Sequence, residues 1–137
     1  MSDVGLLRRK GNLDSKIVVE GNKLFEEFKG ALTENFILNM LLFKFENKPN
    51  YYVFDRHEID FIIQHKNEII PIEVKSSENI NNVSLTRFNE SNENKISVRF
   101  SARNLDKSGN ILNIPIFMAE YIDKLITLGM ECAKKFL

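Results

Sequence analysis

Between about Lys23 and Phe45, apolar residues recur every three or four positions: Phe25, Phe28, Leu32, Phe36 and Met40. That spacing predicts an amphipathic helix. Gly30 lies inside it and costs about 1 kcal/mol against alanine, so a bend or break is expected there. Asn47-Lys48-Pro49-Asn50 is a turn signal that ends the helix. Beyond it the period falls to two. Tyr51-Tyr52-Val53-Phe54, the segment from Glu58 to Ile63, and the segment from Ile69 to Lys75 predict three strands in close succession. A short helix over 84–89 capped by Ser84, a fourth strand over 95–101 and a loop at 106–110 follow. A closing helix over 116–136, opened by Pro115, completes the pattern. Strands joined by short links pair antiparallel, so this order predicts an α/β domain with a mixed central sheet flanked by helices.

The link between the second and third strands sets their register. A two-residue turn at Lys66-Asn67, or a four-residue loop over 65–68, places Asp60 opposite Glu73 and Glu58 opposite Lys75. A three- or five-residue loop would break that pairing. Opposed residues have Cβ atoms about 4.5–5.5 Å apart. Alternation puts Glu73 and Lys75 on one face, about 7 Å apart, and Ile70, Ile72 and Val74 on the other. Ile59 and Phe61, which flank Asp60, are expected to face away from it. Two carboxylates at about 5 Å repel by roughly 3 kcal/mol at an effective dielectric near 20. Lys75 offers one compensating charge. A divalent cation offers more, and oxygen ligands from one or two carboxylates suit Mg²⁺. On the first helix, Glu34 has apolar residues at the positions that share its face: Ala31, Ile37, Leu38 and Leu41. A carboxylate in such a stripe is expected to be buried and to need a partner.

Composition bounds the picture. The chain has 137 residues, the size of one domain, and a formal net charge of zero. Zero charge argues against a strongly basic nucleic-acid clamp while leaving room for a local basic strip. One cysteine excludes a disulfide or a cysteine-based zinc site within the chain. No apolar run is long enough to span a bilayer and no signal peptide is recognisable, so a cytoplasmic setting is expected. No Gly-rich phosphate loop of the GxxxxGK[ST] type is present.

Bland readings stand beside the chemical one. Asp60 and Glu73 also fit a cross-strand pair on a solvated face, neutralised by Lys75 and Arg87. Glu34 also fits a surface position. His57 and His65 read as loop or strand-edge residues rather than ligands, and Cys132 as an ordinary position on the last helix. Arg87, Lys95, Arg99 and Arg103 fit either a DNA-facing strip or a solvated face shared with Glu90, Glu93 and Asp106.

Glu34 on a first helix, Asp60 on a strand and Glu73-Val74-Lys75 on the next strand together resemble the PD-(D/E)xK nuclease pattern, with Ile59 where the nominal motif has proline. A narrower likeness rests on several segments. Lys29-Gly30-Ala31-Leu32-Thr33-Glu34-Asn35-Phe36, Glu58-Ile59-Asp60-Phe61-Ile62-Ile63, Pro71-Ile72-Glu73-Val74-Lys75-Ser76-Ser77 and Asn113-Ile114-Pro115 resemble the C-terminal domain of a large prokaryotic family of AAA-type P-loop ATPases. Asp3-Val4-Gly5-Leu6 resembles the segment that opens that domain. The resemblance implies a restriction-endonuclease-like core over residues 1–137, forming the C-terminal part of a longer protein whose P-loop ATPase domain is its partner. It implies a Mg²⁺- or Mn²⁺-dependent phosphodiesterase acting on DNA. Asp60 and Glu73 would hold the metal, Lys75 would orient water or stabilise charge, and Glu34 would hold a second metal or a metal-bound water. The alternative is an inactive nuclease-fold module that binds DNA or protein.

Overall fold

The computed structural model describes residues 23–77 and 81–134. The helix predicted from the first apolar period is α1, Lys23–Lys44. It runs through Gly30 as one helix, so the expected break does not occur. Strands β1 (Asn50–Phe54), β2 (His57–His65) and β3 (Glu68–Val74) follow. Then come α2 (Val83–Asn92), β4 (Ser97–Ser101), β5 (Asp106–Ser108) and β6 (Ile111–Pro115). A 3₁₀ turn over Ile116–Tyr121 leads into α3, Ile122–Lys134. Among the described residues this is an α/β fold with one mixed sheet of six strands, in the order β1-β2-β3-β4-β6-β5. Strand β3 is antiparallel to β2 and parallel to β4, which is in turn parallel to β6. No helix of the described residues is long and apolar enough to cross a membrane.

Several local expectations are corrected. The segment at 106–110 is not a loop but the strand β5 and the turn of a β5–β6 hairpin. Pro115 ends β6 rather than opening an α-helix, and the regular helical period begins only at Ile122. Ser84 does not cap α2: the cap position is Asn82. The opening segment Asp3-Val4-Gly5-Leu6 lies outside the described residues.

Two cores sit on the two faces of the sheet. On one, Ile37 and Leu41 of α1 and Ile122 and Ile126 near the chain's end pack on Ile70, Ile72, Val74, Val98, Phe100, Leu112 and Ile114. On the other, Leu85 and Phe88 of α2 pack on Ile59. Pro71 is buried inside β3 although it lacks an N–H. Odd-numbered N–H groups of this strand face β4, as that of Lys75 does in donating to Phe100 O at 2.8 Å. Pairing with β4 starts only at Ile72, so the donor missing at Pro71 falls where no ladder needs it.

The β2–β3 register is the one expected, with Phe61 opposite Ile72 and His65 opposite Glu68 across the turn Lys66-Asn67. The three hairpins among the described residues close through two residues each: Asp55-Arg56, Lys66-Asn67 and Gly109-Asn110. In each, the first turn residue has positive φ: 52° at Asp55, 55° at Lys66 and 56° at Gly109. The second residue does not, which is the type II′ pattern that favours glycine at the first position. Only the third hairpin has it. A left-handed conformation costs an L-residue about 1–2 kcal/mol, partly offset by the greater chain entropy of glycine. Lys66→Gly is therefore expected to raise unfolding free energy by about 0.5–1 kcal/mol in urea titration. A loss of stability would show that the Lys66 side chain contributes more than its backbone costs.

Candidate functional site

The site begins where the β2–β3 ladder stops. Pairing runs from His65 back to Phe61, opposite Ile72, and ends there. The next pair would be Asp60 opposite Glu73. Between Asn50 and Tyr52 the β1–β2 register shifts, since Asn50 pairs with Ile62 but Tyr52 with Ile59. Strand β2 therefore carries one extra residue here, a bulge that breaks its alternation and re-aims a side chain. Ile59 packs on α2, while Phe61 and Ile63 belong to the other core. This corrects the expectation that Ile59 and Phe61 share a face.

The bulge turns Asp60 toward the backbone of β3. The Val74 N–H points at β2, where regular pairing would offer it a carbonyl. It donates instead to Asp60 Oδ2, at 2.7 Å. A side-chain carboxylate has taken the place of a ladder acceptor, and the strands part around it. Glu73 points into this region from β3 and is 4% exposed. Its Oε1 accepts from Lys75 Nζ at 2.7 Å. Its Oε2 is buried with no hydrogen-bond partner, as are Asn35 Nδ2 and Asp123 Oδ1 elsewhere. Lys75 lies just past the end of β3, with its side chain partly open to solvent.

Burial raises the pKa of Glu73 above the ordinary carboxylate value; Lys75 opposes the shift and Asp60 adds to it. Burial also raises Asp60, against the opposing Val74 N–H and Lys75 and with help from Glu58. Glu34 is more exposed than its apolar helical neighbours suggested: the buried stripe is Ile37 and Leu41, and Glu34 stands at its edge. Partial desolvation and then the Asp60 charge still raise its pKa, against the opposing Lys75, which puts it within electrostatic reach of those two groups. Glu73 and Lys75 are thus in contact, and Asp60 lies within electrostatic reach of both, with Glu34 exposed nearby. Asp60 and Glu73 supply hard oxygen donors of the kind Mg²⁺ takes. Among the described residues no group of three or more His, Cys, Asp or Glu side chains is placed to hold a metal ion.

Sequence reading missed two neighbours. Tyr51, exposed on β1, hydrogen bonds to Glu58, which raises its phenol pKa, and it feels Asp60 and Glu34. Arg99, opposite Glu73 on β4, is buried rather than part of a solvated face. Its Nε donates to Asn113 Oδ1 at 2.8 Å and its Nη1 donates to Asn82 Oδ1. The alternation of Ser97, Arg99 and Ser101 was visible as a shared face, but nothing in it signalled that the face is covered. His65 lies away from the carboxylates, against Thr127. Lys95 pairs with Glu68 at the far end of the hairpin.

All three carboxyls bind protons more tightly folded than unfolded. In the carboxylate range the native state then holds more protons, and their contribution to stability falls as pH rises. Asp60→Asn keeps an acceptor for Val74 N–H and removes the charge. It is expected to raise the melting temperature at about pH 7.5, by about 4 °C for each kcal/mol released. The gain should shrink as pH falls through the raised titration range of Asp60, where the parent carboxyl itself takes up a proton. A variant less stable than the parent at neutral pH would show that the Asp60 charge is net stabilising.

A family model described as a domain of unknown function (DUF4143) matches residues 29–117, a span that includes Glu34, Asp60, Glu73 and Lys75. No curated protein and no solved structure gives a significant match. The chain belongs to the DUF4143 family, a family of domains of unknown function.

Proposed function

We propose that this domain is a nuclease-like module, a metal-dependent phosphodiesterase acting on DNA, joined in its parent protein to a P-loop ATPase. The observation that carries the reading is the Glu73 carboxylate, buried with one oxygen unpartnered beside Asp60 and Lys75. Buried carboxylates are ordinarily paired or bound to a cation. Domains of this family are commonly found with AAA ATPases, which supports the expected partner.

Asp60 and Glu73 are the residues that would hold Mg²⁺ or Mn²⁺, with water and substrate oxygens completing the shell. A backbone carbonyl of Ile72 or Val74 would be a further ligand; that of Val74 lies beyond the last β2–β3 pair, whereas Ile72 is paired with Phe61. When bound, the cation supplies a Lewis acid for the phosphate and lowers the pKa of its water. Lys75 does the rest from the protein side. A protonated ammonium cannot ligate a cation, but it can orient a water or offset charge developing on phosphate oxygens. Glu34 would hold a second metal or a metal-bound water. One observation favours a second reading, a non-catalytic module that binds DNA or protein: the Lys75–Glu73 ion pair compensates Glu73 without any metal.

Calorimetric titration with Mn²⁺ is expected to give a binding heat that vanishes in Asp60→Asn. Lys75→Ala should keep that heat and lose cleavage of plasmid and linear DNA in Mg²⁺, by about 100- to 1000-fold. EDTA should abolish cleavage by the parent protein. Metal binding without cleavage by either protein would favour the non-catalytic module. No metal heat at millimolar Mn²⁺ would overturn the hydrolytic reading.

A further inference from the structure

We infer that Tyr51 is a stacking surface for an unpaired base beside the Asp60 and Glu73 carboxylates, so that the substrate class is single-stranded DNA. The inference rests on the reading that this site meets DNA, and it names the form of DNA that the site takes.

Register brings Tyr51 to the site. On β1, Asn50 pairs with Ile62 and Tyr52 with Ile59, which leaves Tyr51 facing the two bulge residues of β2, Asp60 and Phe61. Neighbouring strands lie about 4.8 Å apart, so Tyr51 stands one strand spacing from Asp60. Glu58 is opposite Val53 and therefore diagonal to Tyr51 on the same face. The Tyr51 phenol hydrogen bonds to Glu58, and the charges of Asp60 and Glu34 act on it. The tip of the side chain is thus tethered on the side of the carboxylates, while the residue as a whole is 59% exposed. Tyr52 shows the other outcome open to a ring on this strand. It turns to the opposite face, where it stacks on Phe54 at 5.8 Å and meets Phe88 edge-on at 5.7 Å.

The choice of a base follows from charge. Glu34 and Glu58 are exposed, and Asp60 is within electrostatic reach of both. A phosphate passing Tyr51 therefore meets negative charge. A base is neutral and offers a π-face, which an exposed aromatic ring binds by stacking. Tyrosine gives that surface with few rotatable bonds, and a tethered tip lowers the ordering cost further. In a duplex the faces of each base are covered by its neighbours in the stack, so only an unpaired base can lie on the ring. A cation at Asp60 and Glu73 meets a phosphate of the strand, and Tyr51, one strand further out in the sheet, meets a base beside it.

The chain contains no tryptophan, so Tyr51→Trp in the full chain carries a single fluorescent reporter of base stacking. Its emission is followed against a single-stranded DNA oligonucleotide and against the same sequence as a duplex with both ends closed by hairpins, in Ca²⁺ and in EDTA. The single strand is expected to quench it and the closed duplex to leave it unchanged. Tyr51→Ala should weaken single-strand binding by about tenfold, read from the anisotropy of a labelled oligonucleotide. It should keep the slope of affinity against salt, because no phosphate contact is lost. Tyr51→Phe should keep most of the binding. Tyr121→Ala removes another exposed tyrosine, one that hydrogen bonds to Glu120, and should leave binding unchanged. The Mn²⁺ heat that tests the hydrolytic reading should be the same in Tyr51→Ala and the parent. Mn²⁺ heat with no quench would overturn this inference and leave that reading in place. A quench without Mn²⁺ heat would support base stacking and overturn the hydrolytic reading. Equal quenching by the closed duplex, or unchanged binding by Tyr51→Ala, would overturn the inference. So would a fluorescence change that follows protein concentration without DNA, which would assign the ring to a contact between copies of the chain.

Discussion

The hydrogen bond from Val74 N–H to Asp60 Oδ2 is the contact on which the site depends. A backbone donor in a sheet has to find an acceptor, and a regular ladder would supply the Ile59 carbonyl. The bulge in β2 withdraws that carbonyl. The carboxylate that replaces it satisfies the donor, fixes its own position and holds β2 and β3 apart. Glu73, the residue before Val74, is buried, and its second oxygen has no hydrogen-bond partner. An ordinary cross-strand pair would have let both carboxylates turn outward. The repulsion that the register predicts is thus retained in the fold, moderated by Lys75 and, to a smaller extent, by Arg99.

How much of this was legible follows from the kind of information each residue carries. The β2–β3 register depends on a polar doublet between two apolar runs, and that doublet is local. Asp60, Glu73 and Lys75 could therefore be placed together from parity alone. The bulge could not be placed, because it arises from how β1 meets β2 at Asn50 and Tyr52. Strands β5 and β6 escaped notice for a different reason. Asp106-Lys107-Ser108 has no apolar residue, and Ile111–Pro115 carries Asn113 and a proline. Their pairing comes from β4, to which β6 runs parallel. Glu34 and Arg99 show the same limit from opposite sides. Helical spacing suggested burial for Glu34, which is exposed, and alternation suggested solvent for Arg99, which is covered. Periodicity assigns residues to a face; what lies over that face is decided by elements remote in sequence.

Glu73 and Arg99 occupy the same level of neighbouring parallel strands without forming an ion pair. Each has been given other company, a lysine for the carboxylate and two asparagines for the guanidinium. Had they closed on each other, the face would carry a neutral salt bridge and little field. Kept separate, they leave negative charge beside β2 and positive charge toward β6. Such a division costs stability relative to a well-paired interior, and it gives the sheet a polarity across its width.

The order of the strands has a consequence for assembly. Strands β1, β2 and β3 are joined by two-residue links, so their contacts close over short stretches of chain. The parallel neighbours of β4 are reached only through longer crossovers, one of them containing α2. Loop closure makes the first kind of contact early and the second late. Strand β3 is the seam between them: one edge belongs to the local hairpins, the other to the slow parallel half. Glu73 sits on that seam. Asp60 can be in place within a hairpin that has not yet met the remainder of the chain. The burial of Glu73 and its separation from Arg99 need both halves, so an incompletely folded chain would present the carboxylates without the environment that sets their proton affinity.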